Sequence, residues 1–285
     1  MSTPSDQTAD PRLPAQQAAD PHTPAGTLAL LAASSDPEVR RRIATNPAAP
    51  AEALRVLGRE FPGEVLDNPS LPLHAIDDPS FFSRFDLATC RAFLDSPRAT
   101  PELCMQLAGS TSEQVRLLVA RASITPLAVL EQLARASNPY LVSAVAIHPT
   151  FPLSAVYSLL LHPHEQVALT ILQTGRLGSE GLVLLAHHPN GLVRRKIASL
   201  SEDPLVLGRM AQDPEWMVRR AVASNPHTPE PVLWRLRRDA TDTVRKDVLE
   251  NPSTKRFALL TLLRDPSRSN SSAARLKLQA LWLSA

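Results

Sequence analysis

The segment from Asp213 to Leu236 reads Asp-Pro-Glu-Trp-Met-Val-Arg-Arg-Ala-Val-Ala-Ser-Asn-Pro-His-Thr-Pro-Glu-Pro-Val-Leu-Trp-Arg-Leu, and its pattern decides the fold. Asp213 is placed to cap a helix whose first position is Pro214, where a missing N–H costs nothing. Thr228 and Pro229 repeat that device fifteen residues later. Between them Asn225 precedes Pro226, and a residue before proline is pushed out of the α region, so the first helix ends there. The unit is a short helix, a proline turn and a second helix.

The same words recur along the chain. Asp20-Pro21-His22-Thr23-Pro24 nearly repeats Asn225-Pro226-His227-Thr228-Pro229. The turn position falls at Pro21, Pro47, Pro69, Pro97, Ser123, Pro149, Gly175, Ser201, Pro226 and Pro252, mostly 26 residues apart with departures to 22, 28 and 25. A period in this range means a solenoid or array. Seven residues after the turn stand Leu28, Leu54, Ile76, Cys104, Leu130, Val156, Leu182, Gly208, Leu233 and Leu259. Three residues further stand Leu31, Leu57, Pro79, Leu107, Leu133, Leu159, Leu185, Ala211, Leu236 and Leu262, which puts both ladders on one helical face. The first helix carries its own i,i+4 pair: Val39 with Ile43, Val115 with Val119, Val167 with Ile171, Val193 with Ile197, Val218 with Val222 and Val244 with Val248. One unit cannot bury these side chains alone, so adjacent copies must stack into a continuous core.

This organisation predicts three regions. Residues 1–18, rich in Ser, Thr, Pro, Gln, Ala and Asp, read as a disordered tail. Residues 19–264 read as the repeat solenoid, with an irregularity where the unit at Phe61–Pro79 is short and the next, through Phe81, Phe82 and Phe85, is long. Residues 265–285 read as a closing cap, a turn over Ser267–Ser272 and a helix from Ala273 to Leu283 that presents Leu276, Leu278, Leu281 and Leu283. Ala and Leu dominate and aromatics are 4%, so the fold class is all-α. Leu28 to Ala33 is too short to span a bilayer and lacks a basic leader. With Cys90 and Cys104 as its two cysteines, the chain fits a reducing cytoplasm better than a disulfide framework.

Asp-Pro, Val-Arg-Arg-x-Val-Ala, Asn-Pro-x-Thr-Pro and Leu-x-x-Leu together resemble the leucine-rich repeat variant family over roughly residues 20–264. The resemblance implies a right-handed α-solenoid of about nine to ten repeats, each pairing an α-helix with a 3₁₀-helix, and a more distant likeness to HEAT and armadillo arrays. A cysteine-rich iron–sulfur segment described in the family has no counterpart in this N-terminus, so no cofactor is carried over.

Net charge is +2, but unevenly spread. Residues 1–186 hold 13 Lys and Arg against 18 Asp and Glu, giving −5, and residues 187–285 hold 17 against 10, giving +7. Cation pairs follow the inward Val in successive units: Arg40 and Arg41, Arg194 and Arg195, Arg219 and Arg220, Arg245 and Lys246, with a lone Arg116. Two readings are open. They form an internal ladder bonded to helix ends and to residues such as Asp36 and Asp213, or they form a stripe that binds an anionic partner. Arg194, Arg195, Arg219, Arg220, Arg245 and Lys246 are the candidate partner or anion contacts. In the middle units the same positions are Val142 with Ser143 and Ala168 with Leu169, which read as deeper burial.

His162, His164, His187 and His188 lie near one edge, but equivalent positions one helix spacing apart are too distant to share a zinc ion, so they read as turn residues and no metal is expected. No glycine-rich phosphate loop, nucleophile elbow or two-histidine metalloprotease helix is present, and Asp77-Asp78 reads as a capping pair. The expected function is therefore a non-enzymatic scaffold for protein–protein interaction. The alternatives are a nucleic-acid-binding solenoid and, last, a HEAT-like DNA glycosylase with Trp216 and Trp234 lining a base pocket, although packing is the simpler role for Trp216.

Overall fold

The structure, a computed structural model, describes residues 13–283, and these are helical with no strand among them. They divide into two compact units, one ending at Phe151 and one beginning at Pro152.

In the first unit the order is α1 (Leu13–Ala19), α2 (Ala25–Leu31), α3 (Pro37–Thr45), α4 (Ala51–Leu57), α5 (Pro62–Leu66), α6 (Leu71–Asp77), a 3₁₀ turn (Phe81–Arg84), α7 (Leu87–Asp95), α8 (Pro101–Ala108), α9 (Glu113–Arg121), α10 (Leu127–Leu133) and α11 (Pro139–Ala146). Odd-numbered helices stack on one another and even-numbered ones pack beside them. The second helix of each repeat is thus α-helical, and the 3₁₀ geometry implied by the family resemblance is confined among the described residues to Phe81–Arg84.

Residues 13–18 of the expected tail are helical, and its residues 1–12 lie outside the described part. Helix α1 is the first helix of a repeat: Ala18 is fully buried, and Asn46 Nδ2 donates to the Ala18 and Asp20 carbonyls at 2.8 and 3.0 Å. The irregular unit breaks the ladder. Ile76 is 75% exposed and Pro79 is exposed, because α5 is only five residues long and the aromatic rings of Phe81, Phe82, Phe85 and Phe93 supply the local core instead. Gly58 lies so close to that cluster that a Cβ would stand 2.7 Å from Phe93 Cζ.

The second unit runs α12 (Leu153–Leu159), α13 (Glu165–Gln173), α14 (Ser179–Leu185), α15 (Gly191–Leu200), α16 (Pro204–Met210), α17 (Trp216–Ser224), α18 (Glu230–Leu236), α19 (Asp242–Glu250), α20 (Arg256–Leu262) and α21 (Arg268–Leu283). Here α13, α15, α17, α19 and α21 form one continuous stack. All six i,i+4 pairs read from the first helices are buried across the two units. Leu207 and Met210 bury where Gly208 stood in the predicted ladder, a slip of one position next to the 25-residue spacing. The closing helix begins at Arg268 instead of Ala273, buries Ala274 and Leu278, and leaves Leu276 and Leu281 exposed.

A series of side-chain amides ties repeat to repeat. Asn225 Nδ2 donates to the Ala198 and Ser201 carbonyls, Asn251 Nδ2 to those of Ala223 and Asn225, and Lys277 Nζ continues the series onto Leu249 and Asn251. Thr228 does not cap α18, for its hydroxyl donates to the Val222 carbonyl six residues back at 2.6 Å, as Thr125 does to Val119. Asp213 accepts from the Glu215 N–H at 2.9 Å, but α17 begins only at Trp216.

Candidate interaction surface

The first cation of each pair turns inward. Its Nη1 donates to the carbonyl six residues earlier: Arg40 to Ser34, Arg116 to Ser110, Arg194 to His188, Arg219 to Asp213 and Arg245 to Asp239, all within 2.9 Å. Its Nε and Nη2 form a fork on an acid about one repeat ahead. Arg194 holds Asp213, Arg219 holds Asp239 and Arg245 holds Asp265, with Nε–Oδ2 distances of 2.6–2.7 Å, and Arg40 holds Glu60 in the first unit. Bidentate charge-assisted pairs of this kind are the strong ones.

Both partners are largely withdrawn from water: Arg245 and Asp265 side chains are 10% and 1% exposed. Burial alone would raise the Asp239 and Asp265 carboxyls. The guanidinium bonds of Arg219 and Arg245, the N–H bonds of Thr241 and Ser267 and the nearby positive charge outweigh it and hold both below the usual carboxylate range. Arg194, Arg219 and Arg245 are therefore committed internally, which removes half of the six predicted contacts from the outer surface. An acid 19 or 20 residues after Arg40, Arg194, Arg219 and Arg245 was the signal in the sequence that marks the acid of this pairing, and Arg116 has none at that spacing.

The second cation of each pair faces out. Arg195 is exposed and makes no ion pair among the described residues, Arg220 is half exposed with Nε 2.7 Å from Asp247, and Lys246 lies 3.6 Å from Glu250. Between the first two, Arg195, Trp216, Met217, Arg220, Ala221 and Ser224 line a shallow groove of about 270 Å³. Trp216 is 41% exposed there, so packing accounts for only part of it. Trp234 instead stacks on Phe257 at 5.1 Å.

The remaining candidates behave as turn or core residues. Val142 and Ala168 are fully buried and Ser143 nearly so. His162 and His188 occupy the position of Asp213 and do its work in the turn, each Nδ1 accepting an N–H two residues on, from His164 and Asn190. Where the preceding repeat has Ala168 and Leu169 instead of an arginine, no carboxylate is needed at that turn. Among the described residues no group of three or more His, Cys, Asp or Glu is placed to hold a metal ion. Cys90 and Cys104 are free and buried, and burial pushes the Cys90 thiol up to about 11. No helix among them is long and apolar enough to cross a membrane.

Comparison with known proteins agrees with this architecture. Residues 12–70 match the Leucine Rich Repeat Variant domain. A solved structure described as a leucine-rich repeat variant with a novel repetitive protein structural motif superposes with a TM-score of 0.57 at 22% identity, covering 86% of this chain and 87% of that one. The fold is that of a leucine-rich repeat variant. No curated protein matches the sequence. A fold of this kind leaves function to the side chains that stay exposed around the internal ladder.

Proposed function

We propose that the chain is a non-enzymatic scaffold that holds a protein partner on the outer face of α15, α17 and α19, with Arg195, Trp216, Arg220 and Lys246 as contacts. The observation that carries this reading is the division within each cation pair. The inner member is spent on carbonyls and carboxylates, while the outer member stays exposed beside a half-exposed tryptophan. Arginine and tryptophan are enriched at the energetic centres of protein interfaces. The chemistry suits an acidic segment that places one apolar side chain in the groove. A cytoplasmic setting accords with two buried free thiols.

Nucleic acid is the rival partner. It is less well supported, since three of the six cations are internally bonded and the face offers a single aromatic ring for base stacking. The glycosylase reading loses its two-tryptophan pocket, because Trp234 is stacked against Phe257 and lies outside the groove.

A photoreactive side chain at Ser224 should cross-link partner protein in cells, and Arg195→Glu with Arg220→Glu should abolish the adducts. The same label at Leu205, which is 83% exposed on α16, should be indifferent to the charge reversal. Equal labelling at both places, or adducts that survive the reversal, would remove this face as the contact.

A further inference from the structure

At the turns that follow α18 and α20 the second unit has a polar pocket of about 350 Å³, lined by Arg237, Arg238, Asp239, Arg245, Thr261, Leu262, Arg264, Asp265 and Pro266. Its two acids are already taken: Asp239 is forked by Arg219, and Asp265 by Arg245. Three guanidinium groups, those of Arg237, Arg238 and Arg264, are left without a carboxylate among the described residues.

Arg237 is the unusual one. It is only 7% exposed, and it stands at the C-terminal cap of its helix, where the irregular unit places Asp78 and the other repeats place Ala32, Gly58, Gly109, Ala134, Leu160, Ala186, Ala211 and Leu263. A buried charge without a counter-ion is costly, so this residue needs compensation that the protein only partly supplies. Its Nε donates to Thr261 Oγ1 at 3.2 Å, its Nη1 donates to the Trp234 carbonyl, and its guanidinium lies 3.3 Å from the centre of the Trp234 ring. Nη2 donates to nothing among the described residues. The stacked pair of Trp234 and Phe257 holds the guanidinium in place, so a ligand would meet a donor already oriented. Burial and the adjacent charge of Arg238 also bring Arg237 below the ordinary arginine pKa, as expected of a cation that lacks its anion.

We infer that this pocket binds a phosphate dianion, either free or carried as a phosphomonoester on a partner's side chain. Three uncompensated guanidiniums converging on one concavity match a small, doubly charged, tetrahedral oxyanion better than a singly charged carboxylate. The site is distinct from the groove beside Trp216, so its failure would leave the scaffold reading untouched.

The test is calorimetric titration of the full chain with inorganic phosphate, with a capped phosphoserine peptide, with its unphosphorylated form and with duplex DNA. Saturable binding of phosphate or of the phosphopeptide is expected, and whichever binds tighter identifies the source. Arg238→Gln with Arg264→Gln should weaken it by about tenfold for each guanidinium lost, without lowering the melting temperature, because both side chains are exposed and unpaired. Arg237→Gln should weaken it further, and Arg195→Gln should not change it. No saturable binding by the parent chain, a double variant that binds as well as the parent, or DNA binding tighter than phosphate through these same arginines would overturn the assignment.

Discussion

Arg219 ties together three places in the chain. It rises from α17, donates back to the Asp213 and Pro214 carbonyls, and grips Asp239 ahead of α19. Arg219→Ala would leave the Asp239 carboxylate, 6% exposed, without its counter-charge, and removing one partner of a buried pair costs about 3 kcal/mol. The effect has a definite pH sign. Asp239 is held below the usual carboxylate range, so its pair contributes fully above the unfolded value of about 3.9 and is lost as pH falls through the folded value. Thermal melts followed by circular dichroism should therefore show a large gap between parent and variant at neutral pH that closes in acid, as pH falls through the lowered folded value. A gap of equal size at both pH values would mean that the arginine acts through packing alone. Charge pairs in the repeat were visible in the sequence, but which member of each pair faced inward was not. Adjacent residues on a helix differ by about 100° in direction, and only the neighbouring repeat decides which direction is inside.

Asparagine at the end of the first helix does more than stop it. Asn225 and Asn251 were legible as helix-ending residues before proline, and each does have an extended backbone at the cap. The larger role depends on the preceding repeat, where the side-chain amide meets two carbonyls at the end of the stacked helix. Asn251→Ala leaves the Ala223 carbonyl without its side-chain donor, at a cost of about 1–3 kcal/mol, while the Asn225 carbonyl keeps the Thr228 N–H at 3.1 Å. Urea denaturation should report that loss, and hydrogen exchange should place it in α17 and α19 together, since repeat stability couples nearest neighbours. Protection lost in α19 alone would contradict a shared joint. The same dependence on neighbours explains the elements misjudged from sequence. Leu13-Pro-Ala-Gln-Gln-Ala-Ala19 has a tail-like composition, yet it folds because α3 provides a surface for Ala18 and a donor for its carbonyl. Ile76 fits the ladder by spacing but is left outside because four phenylalanines fill the space first.

On the scale of the molecule, the charge split of −5 and +7 takes on a structural meaning once the pairs are assigned. In the basic third most carboxylates are consumed: Asp213, Asp239, Asp247 and Asp265 by arginines, and Glu230 and Glu250 by lysines. The excess therefore resides in unpaired surface groups such as Arg195, Arg238 and Arg264, which lie in two separate places instead of forming one long track. A duplex presents a continuous line of phosphates, and each contact with it releases counter-ions that steepen the salt dependence by about 0.9 per phosphate. Scattered cations give weak, sequence-independent attraction. Replacing Arg194, Arg219 and Arg245 by Ala would reduce the salt slope by roughly three units if those groups touched phosphates. Because their donors are occupied by carbonyls and carboxylates, the expected result is a slope unchanged and a melting temperature sharply lowered, measured by fluorescence anisotropy of labelled DNA at several salt concentrations alongside thermal melts. Tight duplex binding at physiological salt that the triple variant abolishes, with its melting temperature preserved, would require those arginines to leave the ladder when DNA arrives and would restore nucleic acid as the partner.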